Sequence, residues 1–436
     1  MSTVGTRISS STGDGVGPSV RDRRWWIPGS TRSGDVVAAG LVSMVLLLVL
    51  SAASGQIEVN QGYGYDGADY VEMVNNGVDE GTPSTRLRPL VILIVAAVDR
   101  LIEDPIASFR AVNVVFAGLL GLLLADLCRR YGASRAATAT LVLNLGLSIA
   151  TAKMFAFYPT LIDLGAYVFM TAGVSAIVTG RRPLIVATCV LAVLSREFAG
   201  VLVLFGLARD LRLRRSLLAA AATYAPVVAA IAWGRWFAAS HVEEGETASA
   251  LGMASLLSSL RDNLGWWLDP AYAAFWVYFA LTLFGGVSLA LLLAPRAWWR
   301  CLRREPEWLT IVLPIAAVTA VGYIDMWRYS AFVLPAVPAL WVWGVSDLPP
   351  AAARRLFVGV TLATLVTQRP WQAMDVASYF RDWFPYFLVV ETPRTAAATL
   401  WPLWTWRFAA TGVLVLVLLW LGRAPRAGAV PAGARR

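Results

Sequence analysis

Val36-Val37-Ala38-Ala39-Gly40-Leu41-Val42-Ser43-Met44-Val45-Leu46-Leu47-Leu48-Val49-Leu50-Ser51-Ala52-Ala53 runs without a single ionisable group. As a helix rising about 1.5 Å per residue, it nearly matches the ~30 Å hydrocarbon core of a bilayer, where only helices and closed barrels satisfy their own backbone. Apolar runs of near-spanning length recur along the chain. Of 436 residues, 58% are hydrophobic and 15% charged, with mean hydropathy +0.61, which leaves no soluble domain of useful size. The sequence therefore predicts an all-α, polytopic transmembrane helical bundle. The first run lacks a clean small-residue cleavage site and reads as a retained helix that also directs insertion.

Spans are expected near 36–54, 107–128, 136–152, 160–179, 183–194, 197–208, 216–238, 271–294, 308–324, 329–345, 355–368 and 400–421, twelve crossings in all. Residues 1–35 and 422–436 read as disordered tails, and 55–106 as the first outer loop. With both termini cytoplasmic, 24 of the 37 basic residues fall inside, whereas 20 of the 28 acids fall outside. The charge asymmetry is thus a topology signal for a multi-pass protein of the cell membrane, and the basic pI needs no nucleic-acid partner. Pro89 to Val98 is apolar but too short to cross, so it is expected to lie in or dip into the outer leaflet. Leu184 to Ala208 is flanked by basic clusters and interrupted by Ser195-Arg196-Glu197, which predicts two short helices meeting near the outer surface.

On this map Lys153, Asp163, Arg196, Glu197, Arg235, Asp325 and Arg328 lie at the outer ends of their helices, facing the compartment of Asp66 and Asp69. A polar cavity opening outward accounts for them together, because each charge facing lipid costs a few kcal/mol or more. Snorkelling to the headgroups is the structural alternative for each one.

Tyr65-Asp66-Gly67-Ala68-Asp69-Tyr70 follows the first span. If Gly67 opens a helix, Asp66 is its N-cap and shares a face with Asp69. A carboxylate at a water–membrane boundary suits a general base, since burial raises its pKa while the opening keeps it chargeable. Either aspartate fits that role, with Glu72 next in the series; the bland reading of Asp66 is a turn residue. A divalent cation at Asp66 and Asp69 has only two carboxylates to hold it, a weak site, so no metal or other cofactor is expected. Arg196, Arg328 and Arg369 are the candidate phosphate ligands, because the planar guanidinium binds phosphate oxygens bidentately; the alternative is a salt bridge to Glu197, Asp325 or another near acid. Aromatics from Trp371 to Phe387 read mainly as an interfacial belt, and Glu243, Glu244 and Glu246 as a solvated loop. His241 is the single histidine and Lys153 the single lysine, and Cys128, Cys189 and Cys301 have no paired spacing. Histidine triads, zinc sites, Schiff bases and disulfide frameworks are thereby disfavoured. No nucleotide-binding glycine loop is present.

The order of these parts resembles the GT-C membrane glycosyltransferases. The first outer loop carries Tyr65-Asp66-Gly67-x-x-Tyr70, Arg88-Pro89-Leu90 opens the in-plane helix, and Arg129-Arg130-Tyr131-Gly132 ends the next span. Tyr158-Pro159-Thr160-x-x-Asp163 and Leu194-Ser195-Arg196-Glu197 then follow. The likeness covers residues 36–215 by motif and the rest by architecture. It implies a transferase that moves a sugar from a polyprenyl-phosphate donor to a glycan or lipid acceptor of the cell envelope, on the outer face and with inversion. The first-loop aspartate is the implied base, and Tyr65, Tyr70, Lys153, Asp163, Arg196, Arg328 and Arg369 the substrate-binding candidates. The Asp-x-x-Asp spacing departs from the Asp-x-Asp or Asp-Glu of some relatives, and no soluble C-terminal domain is present to grip an acceptor. A flippase or transporter of anionic lipids is the rival from another class, and a lipid-linked glycan polymerase or ligase the rival enzyme. Against transport stand the gathering of charges at one face and the lack of an inverted repeat.

Overall fold

A computed structural model describes residues 30–241, 277–321, 326–346, 348–374 and 394–422. All regular structure among them is helical, beside one isolated bridge between Ser30 and Ser134. The N-terminal half is built from α1 (Ser33–Ala53), α2 (Tyr65–Asn76), α3 (Pro83–Arg86), α4 (Pro89–Ile102), α5 (Pro105–Arg130) and α6 (Arg135–Gly146). It continues through α7 (Met154–Phe157), α8 (Asp163–Thr179), α9 (Arg182–Ser195), α10 (Val201–Arg212) and α11 (Leu217–Ser240). The second half contains α12 (Gly286–Leu292), α13 (Pro295–Arg304), α14 (Leu309–Val321), α15 (Met326–Ala331), α16 (Val337–Val345), α17 (Pro350–Gln368) and α18 (Arg394–Gly422).

Small residues bring α1 and α5 into close contact. A Cβ on Gly40 would stand 3.0 Å from the Gly118 carbonyl oxygen, and one on Gly121 would overlap Ser43. Without a hydrophobic force between helices in lipid, such close backbone approach is how helices of this composition associate. The outer face of α1 leaves Val37, Leu41, Val45 and Leu48 exposed, and α11 leaves Leu217, Leu218, Trp233 and Trp236 exposed. Faces so apolar suit a lipid surround, the arrangement expected of a membrane protein.

Three helices, α1, α5 and α11, are long and apolar enough to cross a bilayer. A fourth crossing is made if α6 and the segment Ile149–Phe157, bent by 56° at their break, count as one. Other predicted spans are divided. The expected single span 271–294 is interrupted at Gly285, whose φ of +59° ends the preceding turn, and α12 begins after it; residues 271–276 lie outside the described residues. The expected span 329–345 is split into α15, a 3-10 turn at Leu334–Ala336 and α16. Pro335 lacks the N–H that a continuous helix would require, which fits a break there. The division at Ser195-Arg196-Glu197 is present: Arg196 is extended (φ −162°, ψ 126°) between α9 and α10. Pro89 opens α4, and Glu103 in the left-handed conformation closes it. Both expected tails up to residue 29 and from 423, the Glu243–Glu246 run, Asp325 and most of the aromatic loop (375–390) lie outside the described residues.

Candidate active site

The first loop is held by a motif ninety residues away. Tyr158 Oη accepts the Gly67 N–H at 3.1 Å, and Thr160 Oγ1 donates to the Tyr63 carbonyl at 2.6 Å. Asn113 Nδ2 of α5 donates to the Pro159 carbonyl at 2.6 Å and fixes that motif in turn. Gly64 (φ +75°) packs where a Cβ would fall inside the Tyr158 ring, and a Cβ on Gly67 would overlap Thr160. The two glycines therefore let the loop lie flat on Tyr158-Pro159-Thr160, and the Tyr158 hydroxyl satisfies one of the N–H groups a helix start leaves unpaired.

This geometry corrects one expectation. The helix begins at Tyr65 with Gly64 as its N-cap, so Asp66 sits inside the first turn and does not cap it. Its carboxylate instead accepts from Arg328 Nη1 at 3.0 Å. Arg328 is a bridge: its Nε donates to Asp163 Oδ2 at 2.9 Å, and its Nη2 lies 2.8 Å from the same oxygen. Tyr167 Oη anchors the Arg328 backbone carbonyl at 3.0 Å. Asp163, the first residue of α8, has its other oxygen 3.2 Å from Arg196 Nη1. Asp66, Arg328, Asp163 and Arg196 thus form a continuous chain of alternating charge, drawn from α2, α15, α8 and the α9–α10 break.

Burial grades along that chain. The side chain of Asp66 is 43% exposed, whereas Arg328 is 5%, Arg196 1% and Asp163 0% exposed. Burial alone would raise the Asp66 carboxyl, but the charge and hydrogen bond of Arg328, with Arg88 and Arg196 behind, hold it below the usual carboxylate range. Asp69, one turn further along α2, goes the other way: burial raises it, a hydrogen bond with Thr82 opposes this, and Asp66 and Glu72 add to the rise. The two aspartates are therefore electrostatically distinct, one fixed as a carboxylate by arginine and one nearer to protonation. Among the described residues no group of three or more His, Cys, Asp or Glu side chains is placed to hold a metal ion.

Arg196 departs from its expected partner. The Arg196–Glu197 salt bridge suggested by adjacency is replaced by Arg196–Asp163, because the extended backbone at Arg196 sends successive side chains apart. Arg196 also lies 5.8–6.0 Å from the ring centres of Tyr329, Phe198 and Phe332, an aromatic collar over a desolvated cation. Glu197 faces Arg88 at 3.7 Å, and Arg88 Nη1 donates to the hydroxyl of Tyr70, itself fully buried. Sequence reasoning passed over Arg88 and Tyr158 as site residues. Arg88 reads as the start of the in-plane helix, and an arginine beside Pro-Leu at the head of a 14-residue apolar helix is the available signal.

Lys153 and Arg369 belong to a second cluster. Lys153 Nζ donates to the carbonyls of Arg369 (2.5 Å) and Gln372 (2.7 Å), where Arg369, in the left-handed conformation, caps the C-terminus of α17. A cation against C-terminal carbonyls is a favourable helix-end contact. Tyr65 is exposed (49%), and Arg235 lies on the exposed side of α11. No protein-family model matches this chain, and neither does any curated protein or solved structure.

Proposed function

We propose that the chain is a membrane glycosyltransferase of the GT-C kind, with about twelve crossings and both termini on the cytoplasmic side. It moves a sugar from a polyprenyl-phosphate donor to a glycan or lipid acceptor of the cell envelope on the outer face. The single observation supporting this reading most strongly is the chain Asp66–Arg328–Asp163–Arg196, in which separate sequence motifs meet and only Asp66 stands open.

The chemistry follows from those positions. Asp66 takes the proton of an acceptor hydroxyl as that oxygen attacks the anomeric carbon. The new C–O bond forms while the anomeric carbon–phosphate oxygen bond breaks, and the electron pair leaves with the polyprenyl phosphate. Attack opposite the leaving group inverts the anomeric carbon. Arg328, next to Asp66, takes up charge on the departing phosphate. Arg196, wholly buried on Asp163, acts as a positioning residue for Arg328. Asp69, with its raised pKa, orients the acceptor.

The test is sugar transfer from a radiolabelled polyprenyl-phosphate donor in membranes reconstituted with the purified full chain. The reading predicts labelled product with inverted anomeric configuration. Protection of the donor from release, with lipid movement between leaflets in its place, would favour the flippase.

A further inference from the structure

A cavity of about 640 Å³ lies between the α5–α6 turn, the end of α16 and the first turns of α17. Its walls are largely apolar, with Val342, Val345, Leu348 and Phe357, and among the described residues its charged lining groups are Arg135 and Arg354. Arg135 is held by Asp35 at 2.9 Å with its side chain 45% exposed, whereas Arg354 is exposed and has no carboxylate partner among the described residues. α17 begins at Pro350 without a side-chain cap, and Pro350 and Ala353 of its first turn line the same cavity. On the other side of Val345 and Leu348, a smaller furrow of about 250 Å³ is lined by apolar groups including Trp341, Leu356 and Leu418.

We propose that this cavity is a binding site for an anionic phospholipid taken from the surrounding bilayer. Its phosphate sits between Arg354, Arg135 and the start of α17, and an acyl chain lies along Val345 and Leu348 toward the smaller furrow. Charge complementarity selects the anion, since the mouth offers the guanidinium of Arg354, which has no carboxylate partner among the described residues, beside that of half-exposed Arg135, whose Nε faces Asp35. The apolar walls select a lipid over a free phosphate, which would leave them in contact with water. The cavity is lined by none of the residues of the Asp66 chain, so the inference stands apart from the transferase reading.

The experiment reads lipid retained by the full chain. Protein purified in mild detergent is exposed to mixed micelles of phosphatidylglycerol and phosphatidylcholine in equal amounts, and bound lipid is counted by native mass spectrometry. Wild type should retain one phosphatidylglycerol in preference to phosphatidylcholine. Arg354→Gln should lower retention about fivefold, and adding Arg135→Gln should lower it about fivefold again. Ala353→Trp, which fills the cavity and leaves the charges alone, should also lower it. If Ala353→Trp fails to fold, Arg354→Gln carries the test, because that side chain is exposed and without a carboxylate partner among the described residues. Equal retention of both lipids, unchanged retention in Arg354→Gln, or displacement of the lipid by inorganic phosphate at equal concentration would overturn the proposal.

Discussion

Two buried ion networks stand at opposite ends of α8 and are satisfied to very different degrees. At its C-terminal end, Glu307, with a side chain 0% exposed, accepts from Arg209 at 2.9 Å and from Arg212 at 2.6 and 2.8 Å. Glu305 beside it accepts from Tyr131 Oη at 2.8 Å and Trp308 Nε1 at 3.0 Å. Arg209 also donates to the Val178 carbonyl, so the network ties α8, α10 and the turn before α14 together. At the N-terminal end, the Asp163–Arg196 contact is electrostatic without hydrogen-bond alignment. Arg196 Nε, Arg88 Nε and Glu197 Oε2 make no hydrogen bond there among the described residues. Arg209 Nε likewise makes no hydrogen bond among the described residues, so the difference lies in the acceptors: both Glu307 oxygens are bonded, whereas Asp163 Oδ1 and Glu197 Oε2 accept no hydrogen bond among those residues. A network whose acceptors are saturated holds a scaffold together, whereas one with unbonded acceptors and an exposed carboxylate at its end is equipped to receive a ligand.

The comparison can be broken first at Glu307. Glu307→Gln leaves Arg209 and Arg212 facing a neutral partner in a buried site, a change that costs about 3–5 kcal/mol. Unfolding in a mixed-micelle denaturant series should show that loss, with transfer per folded molecule unchanged; a folded but inactive variant would erase the distinction between the two ends. Next comes Gly67→Ala, whose Cβ overlaps Thr160 and pushes α2 off Tyr158, for about 1–3 kcal/mol of overpacking strain. Transfer should fall with it, because Asp66 is the residue before, and wild-type activity in this variant would show that the loop seat is unimportant. Arg88→Lys is milder. It keeps the charge but loses the fork that reaches both Tyr70 and Glu197, which should cost about 0.5–1.5 kcal/mol of stability.

The smallest effect concerns pH and separates the two aspartates. Asp66 has a lowered pKa, so its contribution is present above the ordinary carboxylate value of about 4 and is lost only as pH falls through its lower folded value. Asp69 has a raised pKa, so its contribution is present below that value and fades as pH rises through the raised one. Asp69→Asn should therefore gain stability relative to wild type as pH rises through the weakly acidic range, while Asp66→Asn should not. Paired denaturation curves from pH 4 to 7 check this, and parallel behaviour of the two variants would contradict it.

Much of the architecture is legible in the chain because it is local. Apolar runs fix α1, α5 and α11, and Ser195-Arg196-Glu197 within an apolar stretch marks the break between α9 and α10. The site is less legible because its partners are remote. Asp66 and Arg328 are 262 positions apart, and nothing in either neighbourhood specifies that they meet. Arg196 reads as a partner of adjacent Glu197 until its extended backbone is known, and Asp66 reads as an N-cap until Gly64, with its positive φ, starts the helix two residues earlier. Lys153 has the look of a site cation in a chain with no other lysine, yet it donates to the carbonyls of Arg369 and Gln372 at the end of α17.

The most direct measurement is transfer by Asp66→Asn, with donor binding recorded on the same preparation. Asparagine is nearly isosteric, Asp66 itself is 43% exposed, and buried Arg328 keeps Asp163 as its partner, so stability should change by no more than about 1 kcal/mol. Loss of the base should slow transfer about 10²–10⁴-fold while the donor still binds. Transfer at the wild-type rate by Asp66→Asn would contradict the account, and the arginines behind it would then be better read as lining a path for lipid transport.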